Sequence, residues 1–133
     1  MFTFFTAKEA NAALPDVIQK FEYSLAKKSD ITKIEKELQL IVSTTNSFEK
    51  YMELKQKLNT AISKFYQSVE ILESTGVMIK SIEQGLLDFP SKRFDEEVCL
   101  CWKHGETEIK FWHDKESGFM GRKPIEVNDA SLV

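Results

Sequence analysis

Val98-Cys99-Leu100-Cys101-Trp102-Lys103-His104-Gly105-Glu106-Thr107-Glu108-Ile109-Lys110-Phe111-Trp112-His113 holds both cysteines, both histidines and both tryptophans of the 133-residue chain. Its two ends read as short strands, Val98 to Trp102 and Ile109 to Trp112. Between them Gly105-Glu106 fits a two-residue hairpin turn with glycine first, the type II′ pattern. That turn sets Lys103 against Glu108, Trp102 against Ile109, Cys101 against Lys110, Leu100 against Phe111, Cys99 against Trp112 and Val98 against His113. One face then carries Val98, Leu100, Trp102, Ile109 and Phe111, with His113 at its far end. The other carries Cys99, Cys101, Lys103, Glu108, Lys110 and Trp112. The first face is the core face; a one-residue slip would set Lys110 among the aliphatics.

Upstream, Val77-Met78-Ile79 and Leu86-Leu87-Asp88-Phe89-Pro90 read as two further strands, with Pro90 confining its strand to an edge or an end. Before Gly76 the apolar period is helical. Thr6-Ala7-Lys8-Glu9 has the spacing of a capping box, and Ala10, Leu14, Val17, Ile18, Phe21 and Leu25 follow as a one-sided stripe. Pro15 removes one hydrogen bond from that helix and predicts a bend near Asn11 to Leu14. Lys27-Lys28-Ser29-Asp30 is a short break or a solvated turn of a longer helix. From Ile31 the apolar steps alternate three and four, as in a coiled coil, through Leu38, Ile41, Phe48, Leu58 and Phe65 to Leu72. The run Ser43-Thr44-Thr45-Asn46-Ser47 breaks this seam with residues that favour caps and turns. The spacing predicts a first helix ending near Ile41 to Ser43, a tight turn, and a second helix from about Ser47 to Ser74, stopped by Gly76. The fold class is therefore α+β: a long antiparallel helical hairpin, coiled-coil-like, packed on a small antiparallel β-sheet. The expected organisation is one domain over 1–133, with the helical hairpin at 6–75, antiparallel strands at 76–113, and a glycine-containing loop with a polar tail at 114–133.

Composition narrows the function classes. Hydrophobic residues make up 42% and charged residues 29%, the balance of a globular chain rather than a disordered one. Residues 1–75 are electrically neutral and 76–133 carry the whole net charge of −3. With no basic stripe, nucleic acid is not expected as a ligand, nor is a membrane surface. No apolar run approaches the roughly 18–20 residues of a bilayer span. The apolar start, Met1-Phe2-Thr3-Phe4-Phe5, lacks the form of a signal peptide. Two cysteines one residue apart favour free thiols and a cytoplasmic location.

Cys-x-Cys with two histidines invites a zinc reading. The hairpin register above argues against it, because it sends His113 to the face opposite Cys99 and Cys101 and leaves His104 beside the turn. By the same register no histidine is placed to activate either thiol. No metal within the chain and no cofactor is expected, although a zinc site completed across a dimer interface stays open. Phosphate-binding glycine loops and the usual hydrolase and metalloprotease motifs are absent. What remains is a polar cluster at the strand ends. His113-Asp114 closes the last strand, and Gly118-Phe119-Met120-Gly121-Arg122-Lys123-Pro124 follows as a glycine-punctuated loop whose arginine could meet a small anion. The candidate ligand-binding set is Asp88, Arg93, Trp102, Glu106, Trp112, His113 and Arg122. The competing reading pairs Arg122 with a carboxylate of its own chain.

Phe5-Thr6-Ala7-Lys8-Glu9-Ala10-Asn11 with Leu14-Pro15, Gly76-Val77, Gly85-Leu86-Leu87-Asp88-Phe89-Pro90, Leu100-Cys101-Trp102 with Gly105-Glu106, Trp112-His113 and Gly118-Phe119-Met120-Gly121-Arg122-Lys123-Pro124 form a specific combination. Together they resemble a small prokaryotic family of unknown function, some of whose members carry a loose cell-division label. Cys99 and His104 fall outside that family's pattern. The resemblance implies a helical region followed by a compact motif region and implies no activity. The functional expectation is a non-catalytic interaction or scaffold module that self-associates as a homodimer. The alternative is a small-molecule or anion-binding protein, an enzyme included, with a site around His113 and Arg122.

Overall fold

The computed structural model describes residues 3–126. Its elements run in chain order as α1 (Ala7–Thr44), α2 (Phe48–Glu73), β1 (Met78–Ser81), β2 (Leu86–Arg93), β3 (Glu96–Lys103), β4 (Phe111–Asp114), a single 3-10 turn (Phe119–Gly121) and β5 (Lys123–Pro124). Two long helices pack against each other, and five antiparallel strands form a meander in sequence order. The fold is α+β. Residues 127–133 of the expected polar tail and the first two residues of the apolar start lie outside the described residues.

The capping box forms as its spacing requires. Glu9 N–H donates to Thr6 Oγ1 at 3.1 Å, and Thr6 N–H donates to Glu9 Oε1 at 2.9 Å. From there α1 continues without a break through Pro15 and through Lys27 to Asp30, so the latter is a solvated turn of one long helix. Ser47 caps α2 through the Lys50 amide at 3.3 Å, which leaves only residues 45–47 to reverse the chain. A helix rises about 1.5 Å per residue, so α1 is about 57 Å long and α2 about 39 Å. Only part of that length covers the sheet. Ala10, Leu14, Val17 and Phe21 of α1 and Leu72 of α2 join Leu87, Phe89, Val98, Leu100, Trp102, Ile109 and Trp112 in one buried core. Phe21 meets Trp102 edge to face at 5.3 Å, a geometry worth about 0.5–1.5 kcal/mol beyond simple burial.

The hairpin between β3 and β4 departs from the expected register by one residue. Cys101 pairs with Phe111, Leu100 with Trp112, Cys99 with His113 and Val98 with Asp114. The tight turn forms one residue earlier than expected, at His104-Gly105, closed by Glu106 N–H to Lys103 O at 2.9 Å, and the chain does not pair back at once. Residues 104–110 form a seven-residue connection, tied down at two points. Trp102 Nε1–H donates to Glu106 O at 2.8 Å, and Ile109 N–H donates to Asn11 Oδ1 at 2.6 Å. Ile109 is thus drawn into the core from a loop, while exposed Lys110 accepts Ile125 N–H at its carbonyl. The cost of setting Lys110 among the aliphatics does not arise, because Lys110 lies outside the strand. Trp112 turns inward with Leu100, and Phe111 and His113 turn to the side of Cys99 and Cys101.

Pro90 lies within β2, not at its end. There β1 has already finished, and Phe5 N–H donates to Pro90 O at 2.7 Å. Carbonyl and ring nitrogen of one strand residue point to the same side, so the missing donor of Pro90 faces this locally open edge and costs the β2–β3 ladder nothing. The β2–β3 hairpin turns on Phe94 and Asp95, with φ of 50° and 68°. Two positive φ values are what a two-residue hairpin turn needs, here met without Asn or Gly.

Candidate functional site

Strand alternation builds the site on the sheet face away from the helices. β2 is paired to β3 with Asp88 opposite Cys101 and Pro90 opposite Cys99. The slipped β4 adds His113 opposite Cys99 and Phe111 opposite Cys101. Side chains of paired residues share a face. A carboxylate, an imidazole and two thiols therefore meet in one patch where the expected register had separated them. All four residues are buried, and Asp88 and His113 are each only 1% exposed. The separation of His113 from the cysteines, on which the exclusion of zinc and of a thiol–histidine pair rested, does not occur.

His113 is held at both ring nitrogens. Nδ1 lies 2.7 Å from Asp114 O, and Nε2 lies 3.0 Å from Asp88 Oδ1. A carbonyl oxygen can only accept, so Nδ1 carries a proton, and one further proton is shared between Nε2 and Asp88. Asp88 Oδ2 is buried and has no hydrogen-bond partner among the described residues. The ammonium of Lys80, itself half exposed, stays 3.9 Å away. One ligand-type atom from each of Asp88, Cys101 and His113 lies within 4.8 Å of the other two. Burial, then the Asp88 carboxylate, push the Cys99 thiol up to about 11 and the Cys101 thiol up to about 12. Without another partner both are protonated at neutral pH and make poor nucleophiles.

The other expected site residues divide into three places. Arg122 Nη2–H donates to Glu106 Oε2 at 2.6 Å, and its guanidinium lies 3.9 Å from the Phe111 ring centroid and 4.7 Å from that of Phe119. Both charges of that pair act on the Cys101 thiol, so the pair borders the Asp88–His113 patch. Arg122 thus has a carboxylate of its own chain, as the competing reading held. Trp102 is fully buried in the helix-facing core. Trp112 also faces the core, with the Arg93 guanidinium 4.8 Å and the Lys123 ammonium 4.7 Å from its ring. Of the expected set, Asp88, Glu106, His113 and Arg122 gather around the Asp88–His113 patch.

Sequence reasoning dismissed Cys101 as packing and passed over Lys80 and Asn11. A two-residue turn read at Phe94-Asp95 would have set Asp88 against Cys101, but Phe94 at its first position masks the signal that Asp95 gives. Asn11 gave no signal beyond its place in the family pattern, since its partner at Ile109 lies 98 positions away.

A helical hairpin laid on an antiparallel meander, with a buried Asp–Cys–His patch on the sheet's far face, is the class of protein that the fold and site define. The chain belongs to the family described as an uncharacterized conserved protein (DUF2203), whose model matches residues 3–125. Comparison with curated proteins and with solved structures finds no match. No helix among the described residues is long and apolar enough to cross a membrane.

Proposed function

We propose that the protein is a cytoplasmic interaction module that self-associates, two copies meeting along the distal arms of their helical hairpins. The observation that carries this reading is the apolar surface where the hairpin outruns the sheet. Buried residues of α1 end at Ser24, and between Ser24 and Ser68 only Leu54 is buried. Around the tip Leu40, Val42, Phe48 and Met52 are exposed, Phe48 at 73%. Two helices alone can cover only the seam between them, and a surface helix presents a wider apolar stripe than that. A second copy related by a two-fold axis brings the same patch to itself. The groove along the arm suits such a partner, because Lys27, Lys33, Lys57 and Lys64 alternate there with Asp30, Glu37 and Glu53. Opposite signs can then meet across the axis. A small anion at Arg122 is the weaker reading, since Glu106 already occupies its guanidinium.

Analytical ultracentrifugation of the full chain tests the proposal. The expected result is a dimer in the micromolar range that Leu40→Glu with Phe48→Glu converts to a monomer of unchanged helicity. A wild-type chain that sediments as a monomer at those concentrations rejects it, as does a dimer indifferent to the paired substitution.

A further inference from the structure

The sheet's far face is not built as packing. A buried carboxylate–imidazole pair contributes less to stability than apolar side chains of the same size, and the helix-facing side shows that this chain supplies such residues where it needs a core. Yet Asp88 keeps a buried oxygen with no hydrogen-bond partner among the described residues, beside a thiol and an imidazole. We propose that Asp88, Cys101 and His113 bind one divalent transition-metal ion of the zinc class, with a fourth coordination position left for water or an outside ligand.

The donor set fits that class. One imidazole nitrogen, one thiolate and one carboxylate oxygen suit a borderline-soft cation better than magnesium or calcium, which take oxygen ligands. Tetrahedral zinc, with bonds of about 2.0–2.3 Å, needs ligand atoms roughly 3.3–3.8 Å apart. The three ligand atoms lie within 4.8 Å of one another, and Nε2 is 3.0 Å from Oδ1, so side-chain rotations of about 1 Å suffice to close the set around an ion. His113 is already oriented for it. Nδ1–H donates to Asp114 O at 2.7 Å, which leaves Nε2 as the metal-facing nitrogen, the outer contact that metal-ligating histidines commonly make.

Charge also balances. A dication replaces the proton of the Cys101 thiol and the proton shared by Asp88 and His113, so a thiolate and a carboxylate neutralise it in a buried setting. Lys80, which is 3.9 Å from Oδ2 and half exposed, is free to swing toward solvent as the ion enters. Cys99 has no place in the triad and serves as the internal control. Three protein ligands with an open position are the arrangement of metal sites that bind or activate a further molecule rather than merely brace a fold. The triad draws on β2, β3 and β4 of a single chain, so the site is complete in one copy and independent of self-association.

Cobalt(II) titration of the full-length, tag-free, chelator-treated protein tests the inference, with zinc as competitor. The expected result is one cobalt per chain, a near-ultraviolet thiolate-to-cobalt charge-transfer band, and loss of that band on adding zinc. Cys101→Ser should abolish the band, and His113→Gln should weaken binding by about 10–100-fold or more. Cys99→Ser should keep both band and stoichiometry. Circular dichroism confirms that each variant is folded. Absence of stoichiometric cobalt binding by the wild-type chain overturns the proposal without recourse to any variant. A charge-transfer band that survives Cys101→Ser, or that disappears with Cys99→Ser, also overturns it.

Discussion

The Asp88–His113 pair makes a sharp prediction for the metal-free protein. His113→Leu strands a carboxylate: Oδ1 loses its hydrogen bond to Nε2, Oδ2 has none among the described residues, and Lys80 remains 3.9 Å off. A buried charge deprived of its partner costs about 3–5 kcal/mol. Asp88→Val is milder. The neutral imidazole keeps Nδ1–H on Asp114 O, and only Nε2 is left as an unpaired acceptor, which costs about 1–3 kcal/mol. Combining the two removes both polar groups, and the Asp114 carbonyl, on an exposed residue, can turn to water. The double variant should therefore be less stable than wild type by only about 1–2 kcal/mol, a coupling of about 3–6 kcal/mol across the pair. For a chain of this length 3–5 kcal/mol lowers the melting temperature by roughly 10–20 °C. Urea unfolding in chelator serves as the assay, followed by circular dichroism and by the fluorescence of Trp102 and Trp112, both buried in the core. Additive single substitutions, or a His113→Leu variant no less stable than Asp88→Val, would refute the reasoning.

Thr6→Ala should cost about 1 kcal/mol through loss of the α1 N-cap, measured by the same urea titration. Glu9 in that capping box is held below the ordinary carboxylate value of 4.5, first by the Thr6 backbone hydrogen bond and then by the Thr6 hydroxyl. A lowered folded value means stability that is present above 4.5 and lost as pH falls through the folded value, so the difference between wild type and Glu9→Gln should fade in acid unfolding experiments. Gly85→Ala should destabilise by about 2–4 kcal/mol, from left-handed strain together with overpacking. Gly85 has φ +68° and an added Cβ would sit 2.4 Å from that of His104. Thermal melting checks it, and a neutral Gly85→Ala would contradict the close approach of the β1–β2 turn to His104. Both thiols should resist Ellman's reagent at neutral pH in the folded chain and react together once it is unfolded, because burial raises Cys99 to about 11 and Cys101 to about 12.

Periodicity and caps belong to the sequence, and these elements were legible there. The stripe from Ala10 to Leu25, the Thr6–Glu9 box, the polar break at Ser43 to Ser47 and the change of period after Gly76 determine by themselves a helical hairpin followed by antiparallel strands. Local hydrogen bonds and i, i+3 and i, i+4 spacing suffice for that. Strand register does not reduce to local rules. The tight turn forms at His104-Gly105 rather than Gly105-Glu106, and the pairing beyond it is decided by contacts from outside the hairpin, Asn11 capturing the Ile109 amide and Ile125 donating to Lys110, together with the indole of Trp102 bonding Glu106 within it. These contacts lengthen the connection by enough to exchange the two faces of β4. Because side chains alternate with a period of two, a one-residue difference carries Trp112 into the core and His113 to Cys101 and Asp88. Which residues could be chemical was readable from Val98 to His113. Which of them meet was settled only when helix, loop and sheet closed on one another.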